Sequence, residues 1–417
     1  MKNIFIPPHY LLYTQRFTGR LLLKKPSTNI SSYLGLAVLW GIFFVGFSVR
    51  MAVIITMPLI RDDLQISYAQ AGMLLSLLSV SYGLIQFPSG VLSDTFDNKK
   101  LLLIVSLLLV PAMVGVSFSQ GLLSLGASLF LMGLFIGAST PISFSILSKM
   151  FPKRTGTLLG IFNTAPSVAQ FVGTYISGVL ASEYDWHWVY YLWIVLNISL
   201  VILIWFFIKP TKTFKESSSL NMKTVKSLLS DKTLLYFLLP FVAHSVLAFS
   251  SLTMNPLYMV EVYRLDLTQT ATIYGVTRFF GLFGSFIGGF LSDRYSKTKL
   301  LLASLTASAL CMYALVALPY GPWTIGILSL QAISINLFFP TIYSLIVRLT
   351  PLSTRGKAQG LYNSVAFTIG GVSPYIMGVI IDTSSFQQAF MFPLLIAVIG
   401  ILWLSILLLK SYPQKTV

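Results

Sequence analysis

The chain is poor in charge, in cysteine and in histidine: of 417 residues, 10% are Asp, Glu, Lys or Arg, one is Cys and three are His. A single thiol, Cys311, excludes a disulfide framework and a cysteine-rich metal centre. His9, His187 and His244 fall in no metal-ligand spacing, so neither a metal nor another cofactor is implied. Acids are scarcest, 12 against 28 Lys and Arg. An average soluble domain is roughly 25% charged. A chain this short of charge and 55% hydrophobic lacks the polar surface of a soluble globular enzyme. It also shows no nucleophile–base pair, no phosphate loop and no hydrophilic mass for a catalytic domain. The net charge of +16 raises nucleic acid as a partner. Nucleic-acid binders cluster their basic residues on a polar face, whereas here they sit in short gaps between apolar runs, so that partner is excluded.

What the chain does contain is a succession of apolar segments. A helix needs about 20 apolar residues to cross roughly 30 Å of hydrocarbon. Twelve segments qualify, near 32–58, 69–92, 100–118, 121–147, 156–181, 188–208, 233–260, 269–291, 299–318, 322–347, 356–381 and 387–409. The expected fold class is an all-α polytopic membrane protein with 12 transmembrane helices in the lipid bilayer. Every third segment is the most uniformly apolar and reads as peripheral.

Charge in the gaps sets the orientation. Residues 1–31 carry Lys2, Arg16, Arg20, Lys24 and Lys25 and no acid. No short apolar stretch with a small-residue cleavage site follows, so this is not a secretory signal. Both tails and the alternate gaps they share a side with sum to +19, the opposite gaps to −5, and +2 remains within the spans. Both termini are therefore expected in the cytoplasm. The compact outer loops favour a bacterial inner membrane.

The longest interior gap is polar and rich in Ser and Lys. The expected organisation is a cytoplasmic segment 1–31, a six-helix bundle 32–208, a linker 209–232, a second bundle 233–409 and a tail 410–417. Internal repetition supports two halves. SGVLSDTFDNKKLLL from Ser89 matches GGFLSDRYSKTKLLL from Gly288 at an offset of 199. GIFN at Gly160 parallels GLYN at Gly360, and YISGV at Tyr175 parallels YIMGV at Tyr375, both at 200. Repeats of this kind place a site at their interface.

The repeated loop resembles the signature of the major facilitator superfamily, Gly-x-Leu-(Ala/Ser)-Asp-basic-x-Gly-Arg-basic. The first copy supplies Gly90, Leu92, Ser93, Asp94 and Lys99; the second supplies Gly289, Leu291, Ser292, Asp293, Arg294 and Lys297. Thr95, Asp97, Asn98 and Ser296 depart from it. The resemblance implies two pseudo-symmetric six-helix bundles and transport by alternating access. Gly90 and Gly289 let helices approach closely. Asp94, Asp293 and Arg294 stand at helix ends as a gating latch that holds the halves together on the cytoplasmic side. Without a basic residue at position 95, the first latch is the weaker.

Apart from Lys100, Lys299 and Lys357 at span ends, Arg50 and Arg278 are the charged residues within the spans, each near mid-depth. A guanidinium there costs at least about 2.5–3.5 kcal/mol and turns to a cavity or a partner. No acid shares that depth. Two unpaired arginines on opposite halves point to an anion pocket, since the planar fork grips carboxylate or phosphate with two bonds. Around them, Tyr82 and Gln86 lie four apart on one helical face. Tyr274 is one turn before Arg278, and Asn363 is the repeat counterpart of Asn163. His244 is the imidazole at membrane depth, suited to proton exchange.

The run Tyr-x-x-x-Gln-x-Pro-x-Gly from Tyr82, with Arg50 in span 1, resembles the organic-anion branches of the superfamily, anion:cation symporters and organophosphate exchangers. The expectation is a monomeric secondary transporter, not an enzyme, that moves a small organic anion, a carboxylate or phosphorylated metabolite. Arg50 and Arg278 are its expected charge partners, with a coupling proton or a counter-anion. The alternative is a carrier of amphipathic or drug-like compounds in which the arginines are structural. Ala165-Pro166 followed by Ala169-Gln170 matches the drug/proton antiporter motif weakly and counts against that alternative.

Overall fold

A computed structural model describes residues 30–151, 155–210, 232–350 and 355–409. The expected terminal segments and the linker lie almost entirely outside the described residues. Spans 1–4 are Ile30–Asp63, Tyr68–Thr95, Asn98–Ser117 and Leu122–Met150. Span 5 combines Thr155–Phe162 with Thr164–Glu183, and span 6 is Trp186–Phe207. Span 7 is Lys232–Glu261; span 8 combines Leu267–Phe279 with Gly281–Arg294; spans 9 and 10 are Lys297–Ala317 and Trp323–Leu349. Span 11 combines Arg355–Gly371 with Ser373–Thr383, and span 12 is Phe386–Leu409. Among the described residues, eleven of these crossings are long and apolar enough to traverse a membrane.

Span 5 is the twelfth, and it is built from two helical pieces, as are spans 8 and 11. The chain breaks at Asn163, whose ψ is −4°. Pro166 has no N–H, so the carbonyl of Phe162 loses its i→i−4 partner and the helix restarts. Pro374 does the same to Gly370 beside a break at Val372, where ψ is −21°. Ser373 Oγ donates to the freed Gly370 carbonyl at 2.7 Å, and span 2 adds Ser76 Oγ, which accepts from the Tyr375 N–H at 2.9 Å and donates to the Val372 carbonyl at 3.4 Å. Neighbouring helices satisfy freed backbone groups in this way throughout membrane proteins.

Loop acids begin helices. Asp97 accepts from the Lys99 N–H, Asp185 from the His187 N–H and Asp266 from the Gln269 N–H, while Ser67 and Gln70 form a reciprocal capping box. A carboxylate at such a terminus also meets the positive end of the helix dipole. These caps let gaps of a few residues reverse the chain.

Spans 1–6 pack on one another, as do spans 7–12, and the two sets meet where span 2 crosses span 11, span 5 crosses span 8, and span 1 approaches span 7. Spans 6 and 12 are outermost, with 28% of each buried against 78% of span 1. Spans 3 and 9, at 39% and 44%, are not set apart from spans 8 and 10 in this way. The seam is backbone against backbone. A Cβ at Gly72 would strike the Pro374 carbonyl, and one at Gly378 the Tyr68 carbonyl.

The seam differs between its ends. At the end opposite Ile30 and Leu409, Asp382 accepts from the N–H groups of Tyr68 and Ala69 at 3.0 and 2.8 Å. Arg61 pairs with Glu261 at 2.9 Å, and the Ser182 and Thr268 hydroxyls meet at 2.8 Å. All three contacts join one set of spans to the other. At the end that holds Ile30 and Leu409, the first piece of span 5 packs mainly against spans 1 and 4 of its own set among the described residues. A Cβ at Gly160 or Gly289 would meet nothing within 4 Å. Among the described residues, the two sets are closed together at the end away from Ile30 and Leu409 and stand apart at the other.

Candidate functional site

Arg50 lies 13 residues before Asp63, about 20 Å from that end of span 1. It is 3% exposed. Its Nη2 donates to Ser79 Oγ of span 2 at 3.3 Å, and its guanidinium carbon stands 4.9 Å from the ring centroids of both Tyr82 and Phe249. One ring comes from each half. The Nε of Arg50 has no acceptor. Among the described residues, the carboxylates in ion pairs are Asp62, Glu261 and Asp185, all at helix ends, so no acid neutralises it. Cation–π contact offsets part of the burial cost, about 2 kcal/mol when desolvated. It supplies no counter-charge.

The rings extend outward from Arg50. Tyr82 packs edge-on against Phe47 (6.1 Å between centroids) and stacks on Phe367 (6.2 Å). Phe367 in turn meets Phe249, Phe241 and Phe339 at 5.7, 5.9 and 6.1 Å. Gln86 lies one turn from Tyr82, as its spacing predicts, and its Nε2 is buried without a partner.

Arg278 is equally buried but differently held. Its Nη2 donates to Ser251 Oγ at 2.7 Å, and its guanidinium carbon is 4.7 Å from the Tyr274 ring. Ser251 donates to Gln331 Oε1 at 2.7 Å, and the Asn255 amide donates to both Ser251 and Gln331. The Tyr274 hydroxyl donates to the carbonyls of Ser251 and Leu252. All these groups belong to spans 7, 8 and 10. Phe249 and Ser251 are two residues apart, hence about 200° around span 7. Span 7 therefore separates the two arginines. Ser79 is the counterpart of Arg278 at the repeat offset of 199. Each half thus contains one arginine–serine contact between its first two spans, with the arginine on opposite partners.

The other sequence candidates are dispersed. Asn163 is exposed at the break in span 5, and Asn363 is half-buried with its Oδ1 unpartnered. His244 is fully buried in the second half, its ring stacked 3.8 Å from Phe338 and edge-on to Phe339 at 5.3 Å. Asp94, Asp293 and Arg294 are exposed at the open end. A Cβ at Gly90 would come within 4.0 Å of Pro141 of its own half, and Arg294 lies over Phe290. Sequence reasoning missed Phe249 and Phe367, which no spacing distinguishes from ordinary membrane-helix phenylalanines. It also missed Ser79, which the repeat offset from Arg278 does reveal.

Two sets of six crossings, a buried cation at their seam and one open end define a membrane carrier. The model of the Major Facilitator Superfamily matches residues 38–372 and 279–417. The chain belongs to that family, and it is a multi-pass membrane transporter rather than an enzyme. It is similar to the hexuronate transporter of Bacillus subtilis, 26% identical over 365 residues that cover 82% of this chain and 86% of the relative. It is also similar to the probable sulfoacetate transporter of Cupriavidus necator, 25% identical over 382 residues and 85% and 89% of the two chains. A multi-drug resistance efflux pump of Streptococcus pneumoniae is 25% identical over 360 residues, with 83% and 88% covered. Among solved structures, a bacterial homologue of the human lysosomal transporter Spinster, inward-facing and occupied, superposes with a TM-score of 0.76. It shares 15% identity and covers 89% of this chain and 96% of its own.

Proposed function

We propose that the protein is a secondary transporter of a small organic anion, a carboxylate or phosphorylated metabolite, working by alternating access between bundles 32–208 and 233–409. The observation that carries this reading is Arg50: at the seam, 3% exposed, with no carboxylate beside it among the described residues and with an unfilled Nε. A buried guanidinium without a counter-ion is completed by an anion. Arg278 acts from the far side of span 7, fixing Ser251 and the face that span 7 turns toward Arg50. That two relatives are named for a hexuronate and for sulfoacetate, both anions, supports the reading.

The positive-inside bias assigns the open end to the cytoplasm of a bacterial inner membrane, with both termini there. The state described is then inward-open, and Asp94, Asp293 and Arg294 engage as a latch when the carrier faces outward. The protein works as a monomer. The enclosure of His244 between Phe338 and Phe339 favours coupling through a counter-anion or the substrate's own proton over an imidazole relay.

Proteoliposomes loaded with unlabelled carboxylate and given labelled carboxylate outside test this directly. Arg50→Ala abolishes uptake while the protein stays monodisperse; undiminished uptake overturns the reading. The aromatic walls and the similarity to an efflux pump favour a second reading, a carrier of amphipathic compounds. Under it, the Arg50→Ala protein still moves lipophilic cations.

A further inference from the structure

The surroundings of Arg50 restrict the kind of anion that fits, an argument that rests on Arg50 as the anion-binding group. First, among the described residues Arg50 is the cation at the seam that has no carboxylate partner, since Arg61 is already paired with Glu261. The Arg278 fork is turned to Ser251 within spans 7, 8 and 10, on the other side of span 7. A substrate with two negative charges would leave one of them without a counter-charge in a low-dielectric site. Second, Arg50 Nε and Gln86 Nε2 are buried donors without an acceptor on the two spans that carry Arg50 and Tyr82. Arg50 is 3% and Gln86 5% exposed, so water does not satisfy them from outside. They call for an acceptor-only head such as a carboxylate.

Third, the walls are rings. Phe47 and Tyr82 from one half, and Phe241, Phe249, Phe339 and Phe367 from the other, form a continuous aromatic cluster in which Phe367 touches four of the others. A sugar acid carries several hydroxyls that each need a partner. A hydroxyl left unpartnered among rings costs on the order of tenfold in affinity. A flat hydrocarbon body instead gains edge and face contacts on every side.

We propose that the substrate is an aryl or arylalkyl monocarboxylate, its carboxylate on Arg50 and Gln86 and its ring among Tyr82, Phe249 and Phe367. This differs from the polyhydroxylated acid for which the Bacillus subtilis relative is named. Titration calorimetry on the full-length protein in nanodiscs compares four probes: phenylacetate, its neutral analogue phenylacetamide, galacturonate, and the dianion galactarate. Phenylacetate is expected to bind at least about tenfold more tightly than galacturonate or galactarate, with phenylacetamide weaker still. Phe249→Leu and Phe367→Leu, which keep an apolar side chain without the ring, weaken phenylacetate about three- to tenfold through lost ring contacts.

Tighter binding of galacturonate or galactarate overturns the proposal and leaves the anion reading intact. Equal binding of phenylacetamide and phenylacetate, unaffected by Arg50→Ala, overturns the anion reading itself. Absence of phenylacetate binding also overturns the proposal. The probe comparison on the unaltered protein decides the matter even where a variant fails to fold.

Discussion

Replacing Asp382 with alanine removes one of the two charged contacts that close the seam at the end away from Ile30 and Leu409, the other being Arg61–Glu261. The Asp382 carboxylate accepts from two N–H groups at the start of span 2, those of Tyr68 and Ala69, at 3.0 and 2.8 Å. Both donors belong to one set of spans and the acceptor to the other, so the bonds exist only while this end is shut. Fully buried, two charge-assisted bonds would be worth about 1.5–3 kcal/mol each. Asp382 is exposed, so the smaller figure for a charge at a helix terminus, about 1 kcal/mol, applies. That is about a fivefold shift in the ratio of the two states. The repeat supplies an internal control. Ser182 occupies the position of Asp382 at an offset of 200, and its contact across the seam is a neutral hydroxyl pair with Thr268. Ser182→Ala is expected to shift the ratio less than twofold, since an exposed neutral hydrogen bond contributes little.

The assay is pulsed electron resonance on spin labels at Leu123 and Ser384, exposed positions at this end of opposite halves, in a Cys311→Ser background. The Asp382→Ala protein should populate the longer label separation about five times more, relative to the shorter, than the parent does. A distance distribution identical to the parent's, or a Ser182→Ala shift as large, would refute the idea that charge at this terminus sets the balance.

Further consequences can be checked in the same preparations. Arg50→Lys keeps the charge but loses the planar fork, the Ser79 bond and the ring contacts, and uptake should fall about tenfold or more. In span 6, Asn197 Nδ2 donates to the Ser106 carbonyl of span 3 at 2.8 Å. Asn197→Leu should lower the melting temperature by an amount that reflects about 0.6–2 kcal/mol. Burial alone would raise the Asp185 carboxyl, but the backbone N–H and ring of His187 outweigh it and hold the carboxyl below its ordinary range. This stabilisation is present above the unfolded carboxyl value and is lost as pH falls through the folded one. Melting curves taken from neutral to acidic pH should show that loss in the parent and a flatter profile in Asp185→Asn.

Helix number, repeat and buried arginines were legible because each depends on residue type against a 30 Å apolar slab. Depth follows from position along a helix; azimuth does not. Arg50 and Arg278 share a depth, yet span 7 separates them, and only the packing of Phe249 and Ser251 reveals it. Pro166 was visible in the sequence, but its cost to the Phe162 carbonyl appears only once the helix around it is traced. Asp382 reads as an ordinary loop acid until span 2 is seen to begin beneath it. The aromatic cluster was least legible, since phenylalanine in a membrane helix faces lipid as readily as a pocket.

The breaks at Asn163, Phe280 and Val372 fall in spans 5, 8 and 11, three of the four helices that line the main contacts between the halves. Each of these spans is therefore a jointed rod, not a single beam. The longer piece of span 5, Thr164–Glu183, is clamped to span 8, while the shorter piece, Thr155–Phe162, packs mainly against its own half among the described residues. Motion of the shorter piece need not be transmitted to the clamped one. A mechanism built from such rods can move its open end by swinging short levers, with the clamped segments acting as a fulcrum.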